Sequence, residues 1–222
     1  MDAAETSRTS LTAAWPLFGL RIRSERLELS LPDDDGLLKL LDLAGAGIHP
    51  PDEMPFGIAW SVAPSPEFER SFVRHHWLMR GSWSEAAWTL HLVARADGRI
   101  VGTQGISGTD FAIHRTVDTG SWIGRAYQGR GLGKAMREAT LAFAFDGLGA
   151  RVAESSAFLD NAASNAVSRG LGYEENGRGS LAPQGVARET QRFRMTVDGW
   201  RARPRPQVEI EGLEACRELF GA

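Results

Sequence analysis

The sequence has a single cysteine, no excess of basic residues and no long hydrophobic run. Cys216 alone cannot form an internal disulfide or a thiolate metal site. The 25 lysines and arginines are outnumbered by 28 aspartates and glutamates, which argues against a general nucleic-acid binder. No stretch approaches the roughly 18 uncharged apolar residues of a membrane helix. We therefore expect no metal, no nucleic-acid partner and no membrane association, and a cytoplasmic location.

The length and composition are those of a folded globular protein. The chain has 222 residues, of which 42% are hydrophobic and 24% charged. A chain of this size buries roughly 70% of the surface of its unfolded form, so it needs no cross-links to hold a core. The first twenty residues hold Asp2, Glu5 and Arg8 and have no continuous apolar core. They do not have the pattern of a secretory signal or an anchor.

The hydrophobic pattern predicts an α+β fold with a mixed sheet. Residues 20–31 alternate as a strand pair or one bent strand, and the Asp33 region begins a helix that ends near Gly45. The proline-rich segment 47–66 is predicted to be a long binding loop. The remaining predicted elements are a helix at 68–81, strands at 88–94, 100–107 and 116–124, a loop at 108–115, a helix at 131–146, a strand at 152–159, a short helix from Asn161 to Gly172, a strand at 191–197, a solvated basic linker at 201–205 and a final strand and helix at 208–220.

The segment WIGRAYQGRGLGKAM, residues 122–136, indicates a phosphate-binding turn. A strand leads into a loop with three alternating glycines, and the loop opens directly into an amphipathic helix. Such a loop presents backbone N–H groups at a helix N-terminus, where the helix dipole favours anions. Arg130 and Lys134 add positive charge. The alternative is a glycine-rich turn that binds nothing.

Three known phosphate-binding motifs can be compared with this loop. The Walker A motif fails because Gln128 and Ala135 occupy two of its required positions. The dinucleotide motif G-x-G-x-x-G fails because Lys134 replaces its third glycine. The residues from Gln128 to Gly133 match the Q/R-x-x-G-x-G/A motif and so resemble the GNAT acyl-CoA N-acyltransferases.

A second segment, residues 158–177, also resembles this family. It is most similar to the RimJ/RimL-type branch, in which an Asn-x-x-Ser motif leads into a helix that ends at Gly-Phe or Gly-Tyr. Asn161, Ser164, Gly172 and Tyr173 occupy those positions. The predicted element order agrees with the GNAT fold from about residue 20 to residue 197. The chain is therefore identified as a member of this family, with similarity to a bacterial subgroup in which some relatives accept succinyl-CoA.

The resemblance implies a V-shaped opening between two splayed parallel strands, 116–124 and 151–159. Acyl-CoA, either acetyl-CoA or succinyl-CoA, would enter it with the pyrophosphate on the 128–134 loop. An amine acceptor, either a small molecule or a protein N-terminus, would attack the thioester directly in a ternary complex. The cofactor-binding residues implied are Trp122, Ile123, Gly124, Gln128, Gly129, Arg130, Gly131, Leu132, Gly133, Lys134 and Asn161.

Three residues are candidates for catalysis. Ser164 matches a serine proposed as the acid in RimL-like relatives, and its alternative role is helix capping. Asp118 matches the acidic position of the family's fourth strand, and its alternative is a solvated carboxylate. His114 is of the residue type that most often serves as a base near neutral pH, and its alternative is a surface loop histidine. Glu189 is a weak substitute for a glutamate of the relatives, and Glu154 could bind a cationic acceptor.

Other residues are assigned by their surroundings. Tyr173 matches an aromatic packing position, so the tyrosine acid of many GNAT enzymes has no counterpart. His75 and His76 do not predict a metal site, because adjacent helical residues point in different directions. Trp60, in the proline-rich loop, is expected near the acceptor.

The expected organisation is a flexible tail at 1–14, the GNAT domain at 15–198 and an extension at 199–222. The extension would pack on the domain or on a partner subunit, which makes a homodimer an open expectation. Two other functions compete with acyl transfer: a non-catalytic acyl-CoA sensor, and a nucleotide-dependent transferase that the failed Walker motif disfavours.

Overall fold

A computed structural model describes residues 10–222 of the chain. Residues 1–9 of the predicted tail lie outside this range. The rest of that tail is not extended: Leu11–Ala14 form a short helix, α1, whose first turn is capped by the Ser10 hydroxyl. Ser10 Oγ accepts a hydrogen bond from the Ala13 amide at 3.0 Å.

The remaining elements alternate between strands and helices. The strands are β1 (Arg21–Ser24), β2 (Leu27–Ser30), β3 (Ala87–Ala96), β4 (Arg99–Thr109), β5 (Thr116–Ile123), β6 (Val152–Phe158), β7 (Glu174–Leu181), β8 (Arg188–Thr196) and β9 (Val208–Glu211). The helices after α1 are α2 (Asp34–Gly45), α3 (Glu67–Gly81), α4 (Phe111–His114), α5 (Leu132–Ala142), α6 (Ala162–Gly170), α7 (Val197–Arg201) and α8 (Leu213–Cys216). Helix α5 continues as a π-helical turn over Phe143–Gly147.

The nine strands of the described region form one mixed sheet. Its order is β7-β8-β6-β5-β4-β3-β2-β1-β9. The β5–β6 pair is parallel, and the other neighbours are antiparallel. The parallel ladder is short, running from Thr116 opposite Val152 to Asp118 opposite Glu154. The predicted α+β fold with splayed parallel strands is confirmed.

The two faces of the sheet are covered by different helices. On one face, α5 buries Met136, Ala139 and Phe143 in the larger apolar core. On the other face, α2 and α3 bury Leu37 and Phe72, among others, in a second core. The long segment 47–66 runs over this second face and contains a 3-10 turn at Trp60–Val62. This layering leaves space along β5, between the helices of the second face and the splayed strands.

Three local predictions were wrong. The predicted loop 108–115 contains α4, which has the αL residues Asp110 and Arg115 at its ends. Strand β7 was missed because its sequence, EENGRGSL, is polar, glycine-containing and without apolar alternation. The basic linker is not simply solvated: Arg203 pairs with Glu138 at 3.0 Å and Arg205 pairs with Asp146 at 3.1 Å.

The C-terminal segment packs on the same chain. Strand β9 pairs with β1, with Ile210 opposite Ile22. Phe220 is fully buried, and its carbonyl oxygen accepts a hydrogen bond from the Trp88 indole at 3.2 Å. These contacts complete the edge of the sheet that lies farthest from β7.

Candidate active site

The glycine loop between β5 and α5 has a backbone that requires glycine. Gly129 and Gly131 have φ values of +73° and +75°, in the left-handed region. Gly131 is the N-cap residue of α5, and the first bond into the helix runs from the Ala135 amide to the Gly131 carbonyl at 3.2 Å. The preceding N–H groups, of Leu132, Gly133 and Lys134, have no acceptor within the helix. They lie at the positive end of the helix dipole, a position that suits an anion.

Contacts from neighbouring segments hold this loop in place. Gln128 Nε2 donates to the carbonyl oxygens of Ile48 and Ile123, at 2.6 and 2.9 Å. Arg26 Nη2, from the β1–β2 turn, donates to the Arg130 carbonyl at 2.7 Å. Because its amide nitrogen is engaged by the protein, Gln128 shapes the loop rather than offering that group to a ligand.

A cleft of about 610 Å³ extends from this loop to the start of α6. It opens where β5 and β6 separate beyond Asp118 and Glu154. Gly124 and Arg130 do not line it: Gly124 lies against Leu43, and Arg130 is turned back onto the Ala126 carbonyl at 2.9 Å. The sequence-predicted residues that line it are Trp122, Ile123, Gln128, Gly129, Gly131, Leu132, Gly133, Lys134, Asn161 and Ser164.

The first turn of α6 separates the roles of Asn161 and Ser164. Asn161 is the N-cap residue, and its Oδ1 accepts a hydrogen bond from the Ser164 amide at 3.1 Å. Ser164 is half-buried, and its side chain lines the cleft. The capping function considered for Ser164 therefore belongs to Asn161.

A second cavity, of about 480 Å³, lies beside the cleft. Its wall includes the aromatic rings of Phe56, Trp60, Phe72 and Trp122, and Asp118 also lines it. Trp60 lies in this wall, and its placement near an acceptor stays a prediction. The residues common to both spaces are Phe56, Gly120, Ser121 and Trp122. The cleft and the cavity therefore meet along the second half of β5.

Asp118 has the properties of a base. Asp118 is an exposed residue of β5 that lines the cavity, yet the protein atoms around its carboxylate partly desolvate it, and this desolvation raises its pKa to about 6. The charge of Arg137 lowers the pKa and that of Glu154 raises it, both by smaller amounts. A carboxyl group with this pKa is mostly ionised at neutral pH, yet it is more basic than an ordinary aspartate.

Three histidines line the cavity around Asp118. The ring centroids of His75, His76 and His91 lie 5.1–5.6 Å apart. Burial is the main cause that lowers all three pKa values, to about 3 for His76 and about 4 for His91. These rings are therefore neutral near pH 7. His91 was missed from the sequence, because a single histidine in a strand carries no pattern.

Arg137 is a second residue that the sequence analysis missed. Its side chain lines the cleft, is 3% exposed and donates from Nη1 to Ser155 Oγ at 2.9 Å. Its Nε has no hydrogen-bond partner among the described residues. The arginine directly follows Met136 of the apolar stripe, so periodicity gave no reason to single it out.

Other candidates lie away from the two spaces. His114 is exposed at the end of α4, before β5 begins, and lines neither of them. Glu189 is exposed on β8, 3.7 Å from Arg178. Tyr173 is buried in the main core, as its packing assignment predicts. The structure therefore places Asp118 in the cavity, two residues before Gly120 of the junction, but brings neither His114 nor Glu189 to either space.

No group of three or more histidine, cysteine, aspartate or glutamate side chains within residues 10–222 is arranged to hold a metal ion. No helix in the same range is long and apolar enough to cross a membrane.

The profile of the acetyltransferase (GNAT) domain matches residues 38–174, which include β5, the glycine loop, α5 and α6. The chain belongs to the GNAT acetyltransferase family. Its members are acyl-CoA-dependent N-acyltransferases, and the chain is an enzyme of this class. The motif at residues 128–133 and the splayed strands are thus features of a GNAT domain.

Solved structures of GNAT proteins share this fold at low sequence identity. RimJ from Mycobacterium smegmatis, in complex with CoA-disulfide, is 18% identical with a TM-score of 0.63, covering 91% of this chain and 94% of its own. A probable GNAT acetyltransferase from Chromobacterium violaceum is 22% identical with a TM-score of 0.65, covering 81% and 92%. The ribosomal-protein acetyltransferase RimL, in complex with coenzyme A, is 18% identical with a TM-score of 0.59, covering 79% and 97%.

Proposed function

We propose that this enzyme transfers an acetyl group, or another short acyl group, from acyl-CoA to a primary amine by direct attack in a ternary complex. The observation that carries the proposal is the junction of the two spaces at Gly120, Ser121 and Trp122. A donor in the cleft and an acceptor in the cavity would meet there. Cys216 is buried in the main core, and its pKa is raised to about 11, so it is unsuited to carry the acyl group.

The cleft offers complementary groups along an acyl-CoA molecule. The N–H groups of Leu132, Gly133 and Lys134 would bind the pyrophosphate. Beyond Asp118, β5 remains paired with β4 as far as Ile123 but has left β6. Its free edge could pair with the pantetheine amides near Trp122 and Ile123, because unpaired strand groups accept an added extended chain. The arm would then run toward Asn161.

Asp118 is the proposed base. A bound ammonium would give one proton to the Asp118 carboxylate, and the apolar wall lowers the pKa of the amine toward that of Asp118. The neutral nitrogen then attacks the thioester carbon, the new C–N bond forms, the C–S bond breaks, and the second nitrogen proton passes to the departing sulfur. The thiolate leaves with the electron pair of that bond. Ser164 would donate a hydrogen bond to the developing thiolate, whose charge is absent in the ground state.

Arg137 bears on the choice of acyl donor. Arg137 is buried and is one of the residues that line the cleft, and its positive charge lowers the pKa of Asp118. We propose that it can meet a terminal carboxylate, so that succinyl-CoA is accepted beside acetyl-CoA. Comparing rates with the two donors in wild type and Arg137→Met tests this, because the substitution should reduce the succinyl rate more. Equal loss with both donors would contradict it.

The acceptor would be an amine of a small molecule or a protein N-terminus, the latter as for RimL, the ribosomal L7/L12 α-N-protein acetyltransferase. We propose the cytoplasm as the place of action, because acyl-CoA donors are intracellular metabolites. A thiol-release assay with acetyl-CoA and a panel of amines tests the function, and equimolar CoA and N-acetyl product are expected. Calorimetric binding of acetyl-CoA without release of CoA for any amine would favour the non-catalytic sensor.

A further inference from the structure

We propose that the acceptor is a small primary amine with an apolar, ring-bearing body, bound whole in the 480 Å³ cavity, and not the N-terminus of a polypeptide. This inference rests on the proposed function and specifies its acceptor. A cavity of this volume falls in the usual range for small-molecule sites, roughly 300–1,000 Å³.

The aromatic wall is built around Trp60. Its ring centroid lies 5.1 Å from that of Phe56, 5.6 Å from Phe72 and 6.0 Å from Trp122. Ile58 also lines the cavity and is 77% exposed. Aromatic walls of this kind gain most from a flat apolar ligand, because ring-on-ring packing adds to the burial of area.

The charges in the cavity suit an ammonium group. Asp118 supplies a carboxylate, and no lysine or arginine is found among the described residues that line the cavity. The three neighbouring histidines are neutral near pH 7, so they do not repel a cation. The faces of Trp60 and Trp122 can also attract it. The cation would therefore sit toward Asp118, with its apolar body against the rings.

The wall contributed by segment 47–66 is fixed to the rest of the fold. Gln128 bonds the Ile48 carbonyl, and Arg188 Nη1 bonds the Met54 carbonyl, both at 2.6 Å. Arg188 Nη2 also contacts both carboxylate oxygens of Asp160 at 2.7 Å. The cavity is thus bounded on this side by a segment tied down at two points.

The floor of the cavity offers little to an extended peptide. Its β4 residue Gly105 pairs with His91 of β3 on one side and with Gly120 of β5 on the other. A peptide that adds to a sheet needs an unpaired strand edge. The free edge of β5 beyond Asp118 faces β6, where the donor arm is proposed to bind. A compact ligand needs no such edge.

An acceptor panel tests the inference. At saturating acetyl-CoA, 2-phenylethylamine and tryptamine should show kcat/KM at least 100-fold above ethanolamine and above an octapeptide with a free N-terminus. Preference for the octapeptide would overturn the inference and leave acyl transfer standing. Calorimetry of 2-phenylethylamine with the CoA-bound protein gives a second readout. Binding without turnover would support the cavity assignment but contradict the proposed function, and absence of binding would overturn the inference.

Replacing one tryptophan inside the cavity and one outside it tests where the ring-bearing amine binds. Trp60→Ala should raise KM for 2-phenylethylamine at least tenfold and leave KM for acetyl-CoA within twofold. Trp77→Ala is the control, because Trp77 lies on α3, is 55% exposed and does not line the cavity. Ile58→Asn, at an exposed position that should not affect folding, should also raise KM for the ring-bearing amine. Unchanged KM in both cavity variants would refute the assignment.

Discussion

Asp118 of β5 and Glu154 of β6 are register partners at the last position where the two parallel strands pair. Two carboxylates therefore stand side by side where the sheet opens. The negative charge of Glu154 supplements burial in raising the pKa of Asp118, while Arg137 opposes both. Burial remains the largest cause of the raised pKa of Asp118.

Replacing Asp118 with asparagine should remove the base. We expect kcat to fall by about 10²–10⁴-fold, the usual contribution of a positioned general base. Wild-type kcat/KM should rise with pH through a midpoint near 6, because the ionised carboxylate is the active form. Stopped assays from pH 5 to 8 measure both. Activity within twofold of wild type in Asp118→Asn would remove this residue from the mechanism.

Glu154→Gln should move that midpoint. Removing the neighbouring negative charge lowers the pKa of Asp118, so the profile should shift toward lower pH. His114→Gln is the control, since His114 lies outside both spaces and its loss should leave the profile unchanged. A shift in the control with none in Glu154→Gln would reverse the assignment of the base.

Ser164 and Asn161 should separate catalysis from stability. Ser164→Ala should lower kcat roughly 10- to 1,000-fold with little change in melting temperature, because the lost donor acts in the transition state. Asn161→Ala removes the cap at the Ser164 amide and should cost about 1 kcal/mol of folding stability. Kinetics and melting curves on both variants provide the comparison. Normal kcat in Ser164→Ala would remove Ser164 from the mechanism.

Gly131→Val should weaken CoA binding at least tenfold, about 1.4 kcal/mol. The left-handed backbone disfavours a side chain, and the new Cβ would lie 3.0 Å from Arg26 Nη1. Gly149→Val is a matched control: Gly149 has φ +72°, has open space around its Cβ position and lies outside the loop. Both variants carry backbone strain, so calorimetry should show weakened affinity only in the first. Equal CoA affinities would exclude the loop from the site.

The buried histidines should make the fold sensitive to acid. The pKa of His76 is lowered to about 3, so between about 3 and 6.5 the unfolded chain binds a proton that the folded chain does not. This stability is present above pH 6.5 and is lost as the pH falls, with His91 adding in the same direction. Asp118, whose pKa is raised, opposes the trend between 3.8 and about 6.

His76→Gln should therefore flatten the fall in melting temperature between pH 7 and 4.5. His114→Gln, at an exposed position, should leave that fall unchanged. Calorimetry of wild type and both variants measures the melting temperature across this pH range. A fall in His76→Gln as steep as that of wild type would show that other groups control acid unfolding.

The sequence was informative where local chemistry determines structure. Asp97 and Gly98, a dipeptide typical of hairpin turns, adopt positive φ values of 50° and 73° in the turn between β3 and β4. Asn161 begins α6 because a side-chain oxygen can cap its free amides, and Gly129 and Gly131 take the dihedrals that made them conspicuous in the sequence. In each case the residue type and its near neighbours in sequence are enough to predict the local backbone structure.

Features that depend on distant contacts were not predicted. His91 joins His75 and His76 only because β3 packs beneath α3. Arg137 is buried because β6 places Ser155 within its reach. Strand β7 forms because β8 lies beside it, although its own residues have low strand propensity. The positions of these residues depend on how the strands and helices pack together, and the sequence has no periodic pattern that predicts them.

A crystal structure of the protein with CoA and 2-phenylethylamine tests the central claim most directly. The account predicts pyrophosphate oxygens within hydrogen-bond distance of the amides of Leu132, Gly133 and Lys134. It also predicts the amine nitrogen between Asp118 and the CoA sulfur, at the junction near Gly120. CoA bound outside the cleft, or an amine far from Asp118 with its ring outside the aromatic wall, would contradict it.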